Sequence, residues 1–137
     1  MESDIWTNFS LARISDAVNF LGGIIAIWIA ARFASVAVDK GANLVAKIII
    51  TVFGLCVIIY NIWFSQGVLW NYYWTWANLS RLKESGVELS VNSQEYLTLN
   101  PNMQEPSYLD NPVALLIYLT AFLVIIGTLW FPPKKDD

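Results

Sequence analysis

Few side chains in this sequence could do chemistry. The 137 residues include no histidine and a single cysteine, Cys56. Histidine is the commonest metal ligand and the usual general base, and a cysteine site for a metal or a disulfide needs further ligands or a second cysteine. The composition therefore predicts a protein that is not an enzyme, with no metal and no cofactor of its own.

One arginine lies inside a long apolar run. Arg32 is the only charged residue within 17–38. Its guanidinium could extend to the membrane interface, or it could bind a lipid phosphate or a carboxylate of a neighbouring subunit. Asp, Glu and Lys are absent from the middle of every apolar run, whereas pumps and ion-coupled carriers place such groups there. We therefore do not expect an autonomous transporter.

Aromatic side chains are concentrated in one stretch, 60–76, where eight of seventeen residues are Trp, Tyr or Phe. Trp and Tyr favour the headgroup level of a bilayer, so the stretch marks the place where a membrane helix leaves the hydrocarbon. Eight aromatic residues exceed what anchoring one helix requires, and we expect some of them to contact a partner protein, a lipid or a pigment. The residues predicted to make these contacts are Trp63, Trp70, Tyr73, Trp74 and Trp76, together with Arg32.

The elements that position these residues are predicted to be transmembrane helices. Hydrophobic residues make up 56% of the chain and charged residues only 14%. Runs at 17–38, 44–64 and 112–131 each have the roughly 20 residues needed to cross a bilayer. We predict a single all-α membrane domain with three spans, a helical hairpin plus a third span. An aromatic interfacial helix and a short extramembrane loop would lie within 65–111.

Small residues recur at every fourth position of the first span. They are Gly22, Ala26, Ala30 and Ala34. Such a strip lets another helix approach closely, so we predict a helix-packing face there. The turn at 39–43 is too short for anything but antiparallel neighbouring helices.

The other segments are less regular. Apolar spacing at 5–15 predicts a short amphipathic helix on the membrane, with a disordered end as the alternative. Residues 68–85 fit either an interfacial helix or a continuation of the second span, ending near Gly86. Alternation at 87–91 predicts a strand that pairs back onto 96–99 as a hairpin. The amino end lacks a positively charged start, so no cleaved signal peptide is expected.

Charge counting predicts the orientation. With three spans, five Lys and Arg lie on the side of the 39–43 turn and the carboxyl end, against three on the other side. The positive-inside rule then places the carboxyl end in the cytoplasm, and the amino end and 65–111 outside. We expect the bacterial inner membrane as the location.

The leading functional hypothesis is a non-catalytic accessory subunit of a larger complex of respiratory, photosynthetic or membrane monooxygenase type, whose partners are other integral membrane subunits and lipids. One alternative is a module that binds a quinone, lipid or carotenoid beneath the aromatic stretch. Another is a homo-oligomeric channel with a pore lined by polar residues of the spans: Asn19, Thr51, Asn61 and Thr120. The net charge of −3 offers no basic surface for nucleic acid.

Overall fold

The structure is a computed structural model that describes residues 1–132. It contains four helices: α1 (Glu2–Asp39), α2 (Leu44–Glu84), α3 (Val91–Leu99) and α4 (Pro112–Trp130). The helices α1, α2 and α4 are long and apolar enough to cross a membrane. The chain is therefore an all-helical integral membrane protein, and the predicted fold class is confirmed.

Sequence signals mark the ends of α1 and α2 and the starts of α2 and α4. Gly41 and Gly86 have positive φ values of 64° and 83°, and each follows the last turn of a helix. Ala42 N–H donates to the Ala37 carbonyl over 2.8 Å, as in the Schellman motif that satisfies the end of a helix. Asn43 and Asn111 cap the starts of α2 and α4 by accepting hydrogen bonds from backbone amides.

Two segments differ from the sequence predictions. The predicted hairpin is wrong: 91–99 is the helix α3, and the part of the chain that the structure describes contains no strand. Ser90 caps α3, and the Gln94 side chain donates to the Leu89 carbonyl over 2.7 Å, so local hydrogen bonds favour a helix over a hairpin that would be marginal in water. The predicted short helix at 5–15 is not a separate element, because α1 runs through it without interruption.

Residues 68–85, predicted as either an interfacial helix or a continuation of the second span, are continuous with the second span. This stretch is the second half of α2, a helix of 41 residues. No proline interrupts 44–84, so the backbone hydrogen bonds of the helix can continue without a break. The third predicted span matches α4, which begins with Pro112 at its first turn.

Two compact units can be distinguished. The first consists of Met1–Val18 and Ser65–Asp110, and the second of Asn19–Phe64 and Asn111–Asp137. The second unit has a small core in which three alanines of α1 pack with Ile125 and Leu129 of α4. Alanine at these positions lets the two helices approach closely, so van der Waals contact can stabilise them where lipid removes the hydrophobic driving force.

Glycine is also required where α1 meets α2 in the second unit. Asn61 is buried, and its side-chain amide donates to the Val57 carbonyl over 2.8 Å. A β-carbon at Gly23 would lie 3.1 Å from the Asn61 Cγ atom and closer still to Oδ1. Gly23 therefore makes room for a buried amide that would otherwise be costly inside a membrane.

We expect the Gly23→Ala variant to be destabilised by about 1–3 kcal/mol, because the added methyl group overlaps a side chain that cannot move without losing its hydrogen bond. Gly22→Ala is the matched control, since nothing lies within 4 Å of a β-carbon at that position. Circular dichroism during denaturation in detergent measures both. Equal stability of the two variants would contradict this packing.

Candidate functional site

A carboxylate of α1 lies at the start of α3 in the first unit. Glu2 accepts a hydrogen bond from the Ser90 backbone N–H over 3.1 Å, and also from the hydroxyls of Ser90 and Ser93. These donors, with Ser90 the largest contributor, hold the pKa of Glu2 below its ordinary value because they stabilise the ionised form. The contact joins the beginning of the chain to the segment after α2.

Aromatic rings continue this connection. Trp6 donates its indole N–H to the Ser93 hydroxyl over 2.8 Å, and its ring meets Phe9 and Tyr96 edge to face. The Tyr96 hydroxyl donates to the Tyr72 carbonyl over 3.1 Å, and burial raises the pKa of Tyr96. Edge-to-face aromatic pairs add to the free energy of burial, so α1, α2 and α3 are fixed together within the first unit.

The first unit also contains a buried carboxylate of α1, that of Asp16. Asp16 is 7% exposed, and its carboxylate is 3.2 Å from the guanidinium of Arg13. The Asn71 amide donates to both Asp16 oxygens over 3.2 and 3.3 Å. Arg13 also lies over the Tyr72 ring, 5.1 Å from its centroid. A buried charge needs such partners, so this network is explained by the packing of α1 on α2.

Four of the predicted contact residues form one surface on α2. We call Trp70, Tyr73, Trp74 and Trp76 the aromatic ladder. The Trp70 and Trp74 rings stack at 5.9 Å, the Tyr73 and Trp76 rings stack at 6.0 Å, and Trp70 meets Tyr73 edge to face at 5.5 Å. Trp74 is 48% exposed and the other three are partly exposed. The partly exposed rings of the ladder are therefore available for contact with a molecule beside the helix.

Cavities of the first unit adjoin the aromatic ladder. One of about 380 Å³ includes Trp76 with Lys83, Glu84 and Thr98 in its walls. A second cavity, of about 140 Å³, lies beside Tyr73. Its other wall residues are mostly apolar, and the two polar ones are Gln104 and Asp110. The apolar and aromatic ones are Leu69, Tyr72, Met103 and Pro106. A third of about 140 Å³ includes Trp74. Each of these cavities thus has one ring of the ladder in its wall.

The small residues of the first span occupy different environments in the second unit. Ala30 and Ala34 are buried against α4, Ala26 is half-buried, and Gly22 is exposed. The glycine that contacts another helix is the neighbouring Gly23. Intrachain packing therefore uses the carboxyl-terminal half of the predicted strip, while Gly22 is open to lipid or to another chain.

Arg32 and Trp63 are both exposed. Among residues 1–132 no hydrogen bond or ion pair is formed by the Arg32 side chain. Trp63 is 64% exposed, and the centroid of its ring lies 6.4 Å from that of Tyr60. Both residues belong to the second unit, whereas the residues of the aromatic ladder belong to the first.

Three of the polar residues considered for a pore bond within the second unit. Asn19 accepts from the Tyr60 hydroxyl over 3.4 Å, and Asn61 bonds its own helix. Thr51 accepts from the Trp130 indole over 3.0 Å, while Thr120 is exposed. Lys47 lies over the same indole at 5.6 Å. Hydrogen bonds between and within helices account for these side chains without a pore.

Sequence reasoning did not identify the groups around Glu2 and Asp16. The spacing of three between Arg13 and Asp16 is a signal that could have predicted an ion pair on one helix face. Glu2 and Ser90 are 88 positions apart, and no local pattern links them. In the described part of the chain, no group of three or more His, Cys, Asp and Glu side chains is arranged to hold a metal ion.

We expect Glu2→Gln to loosen α3. Because the folded-state pKa of Glu2 lies below its ordinary value of 4.5, the stabilisation is fully present above pH 4.5 and is lost as the pH falls through the folded-state pKa. Amide exchange of 91–99 should therefore be faster in the variant at pH 6, and the difference from the unaltered chain should shrink in more acidic solution.

The matched control is Asp4→Asn, because Asp4 pairs only with the amino terminus among the described residues, 2.8 Å away. This variant should leave the exchange of α3 unchanged. Equal exchange in the Glu2→Gln variant and the unaltered chain at pH 6 would refute the contact.

Comparisons with protein-family models, with curated proteins and with solved structures gave no match. The function of the chain is therefore inferred from the residues and surfaces described above.

Proposed function

We propose that this chain is a non-catalytic accessory subunit of a larger membrane complex of respiratory, photosynthetic or monooxygenase type. Its spans would pack against the transmembrane helices of partner subunits and stabilise them. Lipids would cover the remaining surface. The bacterial inner membrane is the proposed location, with the amino end and 65–111 outside and the carboxyl end in the cytoplasm, following the excess of Lys and Arg on that side.

The observation that carries this proposal is how little of each span the chain buries. In the most apolar 18-residue stretch of α1, α2 and α4, only 22%, 22% and 17% of the residues are buried within the chain. Three helices with so small a mutual interface leave most of their surface to other molecules. A closed transport path or an internal reaction centre would need more enclosure than this.

The aromatic ladder supports a protein partner in particular. Trp and Tyr are enriched among the residues that dominate binding energy at interfaces, because they bury a large area and retain a hydrogen-bond donor. The mutual stacking of the four rings restricts their movement before a partner arrives. Less conformational entropy is then lost on binding.

Purification of the tagged chain in mild detergent from its native membrane should yield stoichiometric companion subunits. Trp74→Ala should lower their recovery about tenfold or more if Trp74 is an interface anchor, since such truncations cost about 2 kcal/mol. Val91→Ala, at an exposed position of α3, is the control and should leave recovery unchanged. A monomer that purifies without companions would contradict the proposal.

A second candidate function is binding of a quinone, lipid or carotenoid. The observation that favours it is the cavity of about 140 Å³ beside Tyr73, whose walls combine apolar side chains with Gln104 and Asp110. Such a combination suits a flat apolar ring with polar substituents.

Mass spectrometry of solvent extracts of the purified chain tests this second function. We expect a bound quinone, carotenoid or lipid at near-stoichiometric amounts, reduced several-fold by Met103→Trp, which fills the cavity. Thr120→Trp, on the exposed surface of α4, is the control. Extracts without such a molecule would contradict this candidate.

A further inference from the structure

One face of α1 in the second unit is exposed and carries two hydrogen-bond donors that have no acceptor among residues 1–132. Leu21, Ile25, Trp28 and Arg32 recur at spacings of four, three and four, and all are exposed. We call these four residues the outer face of α1. The buried residues of the same helix, including Gly23, Ala30 and Ala34, lie on the opposite side.

Trp28 is an unusual residue for this depth. It is 65% exposed and lies at the middle of the predicted span 17–38. At 1.5 Å per residue it is about 16 Å from the end of α1 at Asp39, or half of a hydrocarbon core of roughly 30 Å. Its indole N–H has no acceptor in the part of the chain that the structure describes. Acyl chains offer no acceptor either, and Trp ordinarily lies at the interface for that reason.

Arg32 lies one turn from Trp28 on the same face. Its backbone is about 10 Å inside the end of α1. An arginine at that depth can extend towards lipid phosphates, but a tryptophan at mid-membrane cannot reach them. A lipid would therefore satisfy only one of the two donors. A neighbouring helix with acceptors at both depths would satisfy both.

We propose that the outer face of α1 binds a transmembrane helix of a different polypeptide, which places an Asp or Glu carboxylate opposite Arg32 and a hydrogen-bond acceptor opposite Trp28. This inference rests on the proposed function as a subunit and specifies the partner surface. Charge complementarity supports a carboxylate, because a guanidinium binds it bidentately. A charged side chain inside a membrane is costly, and a carboxylate at the same depth lowers that cost.

A second copy of this chain does not fit the outer face. Copies inserted in the same orientation would bring two Arg32 side chains to the same depth, and like charges repel strongly in a medium of low dielectric constant. None of 17–38, 44–64 and 112–131 contains Asp or Glu, so no span of a second copy offers a carboxylate. The partner helix therefore comes from another sequence.

Photo-crosslinking in native membranes tests the surface. A photoreactive amino acid replaces Ile25, which is 56% exposed on the outer face, or Ile117, which is 58% exposed on α4. We expect Ile25, and not Ile117, to crosslink to one defined polypeptide with a carboxylate in a membrane span. Crosslinks from Ile25 only to lipid, or only to a second copy, would overturn the inference.

Charge exchange tests the chemistry of the contact. Arg32→Gln should lower recovery of the crosslinked subunit about tenfold or more, since a charge-assisted hydrogen bond contributes about 1.5–3 kcal/mol. Arg32→Lys should lower it less. Arg32→Glu combined with Arg at the partner's acidic position should restore it. Unchanged recovery with Arg32→Gln would overturn the inference.

A second variant distinguishes loss of the contact from loss of folding, and the recovery of companion subunits distinguishes this inference from the proposed function. Trp28→Phe keeps the ring and removes only the N–H, so it tests the contact even if Arg32→Gln denatures the chain, which circular dichroism would show. A several-fold loss of recovery is expected, and none would count against the inference. Companion subunits that still purify while the outer face proves irrelevant would refute this inference alone, whereas their absence would refute the proposed function.

Discussion

Hydrocarbon offers no hydrogen-bond partner to a peptide group, and this constraint determines most of the architecture. A chain in lipid must satisfy its backbone internally, so the apolar runs form continuous helices that end at capping residues. The same constraint acts on side chains. Asn61, Thr51 and Ser35 each bond a backbone carbonyl of their own helix, and Trp130 donates to Thr51. Polar groups in the second unit are thus satisfied mostly within their own helix, and the Trp130–Thr51 bond also joins α4 to α2.

The first unit is stabilised by different interactions. Its helices are joined by a carboxylate at the start of α3, by an aromatic cluster around Trp6 and by the buried Asp16 network. Hydrogen bonds, ring contacts and the cation–π contact of Arg13 with Tyr72 fix the first eighteen residues to 65–110 over large sequence separations. The aromatic ladder therefore belongs to a unit that is stabilised by its own contacts.

The sequence was informative where apolar length and stop signals determine structure. The three spans, the turn at 39–43 and the end of α2 near Gly86 were predicted because helix length, glycine and proline act locally. The strand at 87–91 was predicted wrongly. Alternation over only two periods is a weak signal, and Ser90 instead caps the start of a helix. The partners of Glu2 and Asp16 were out of reach, since contacts at such separations leave no local pattern. Spacing selected Gly22, whereas the position of Asn61 identifies Gly23 as the glycine in contact with another helix.

The short turn between α1 and α2 has a consequence for biogenesis. Gly41 in a left-handed conformation and Asn43 as a cap leave only four residues between the two helices, too few for either span to be inserted at a distance from the other. The two helices should leave the translocon as a preformed pair, with the Asn61 amide already shielded by Gly23 as it enters the bilayer.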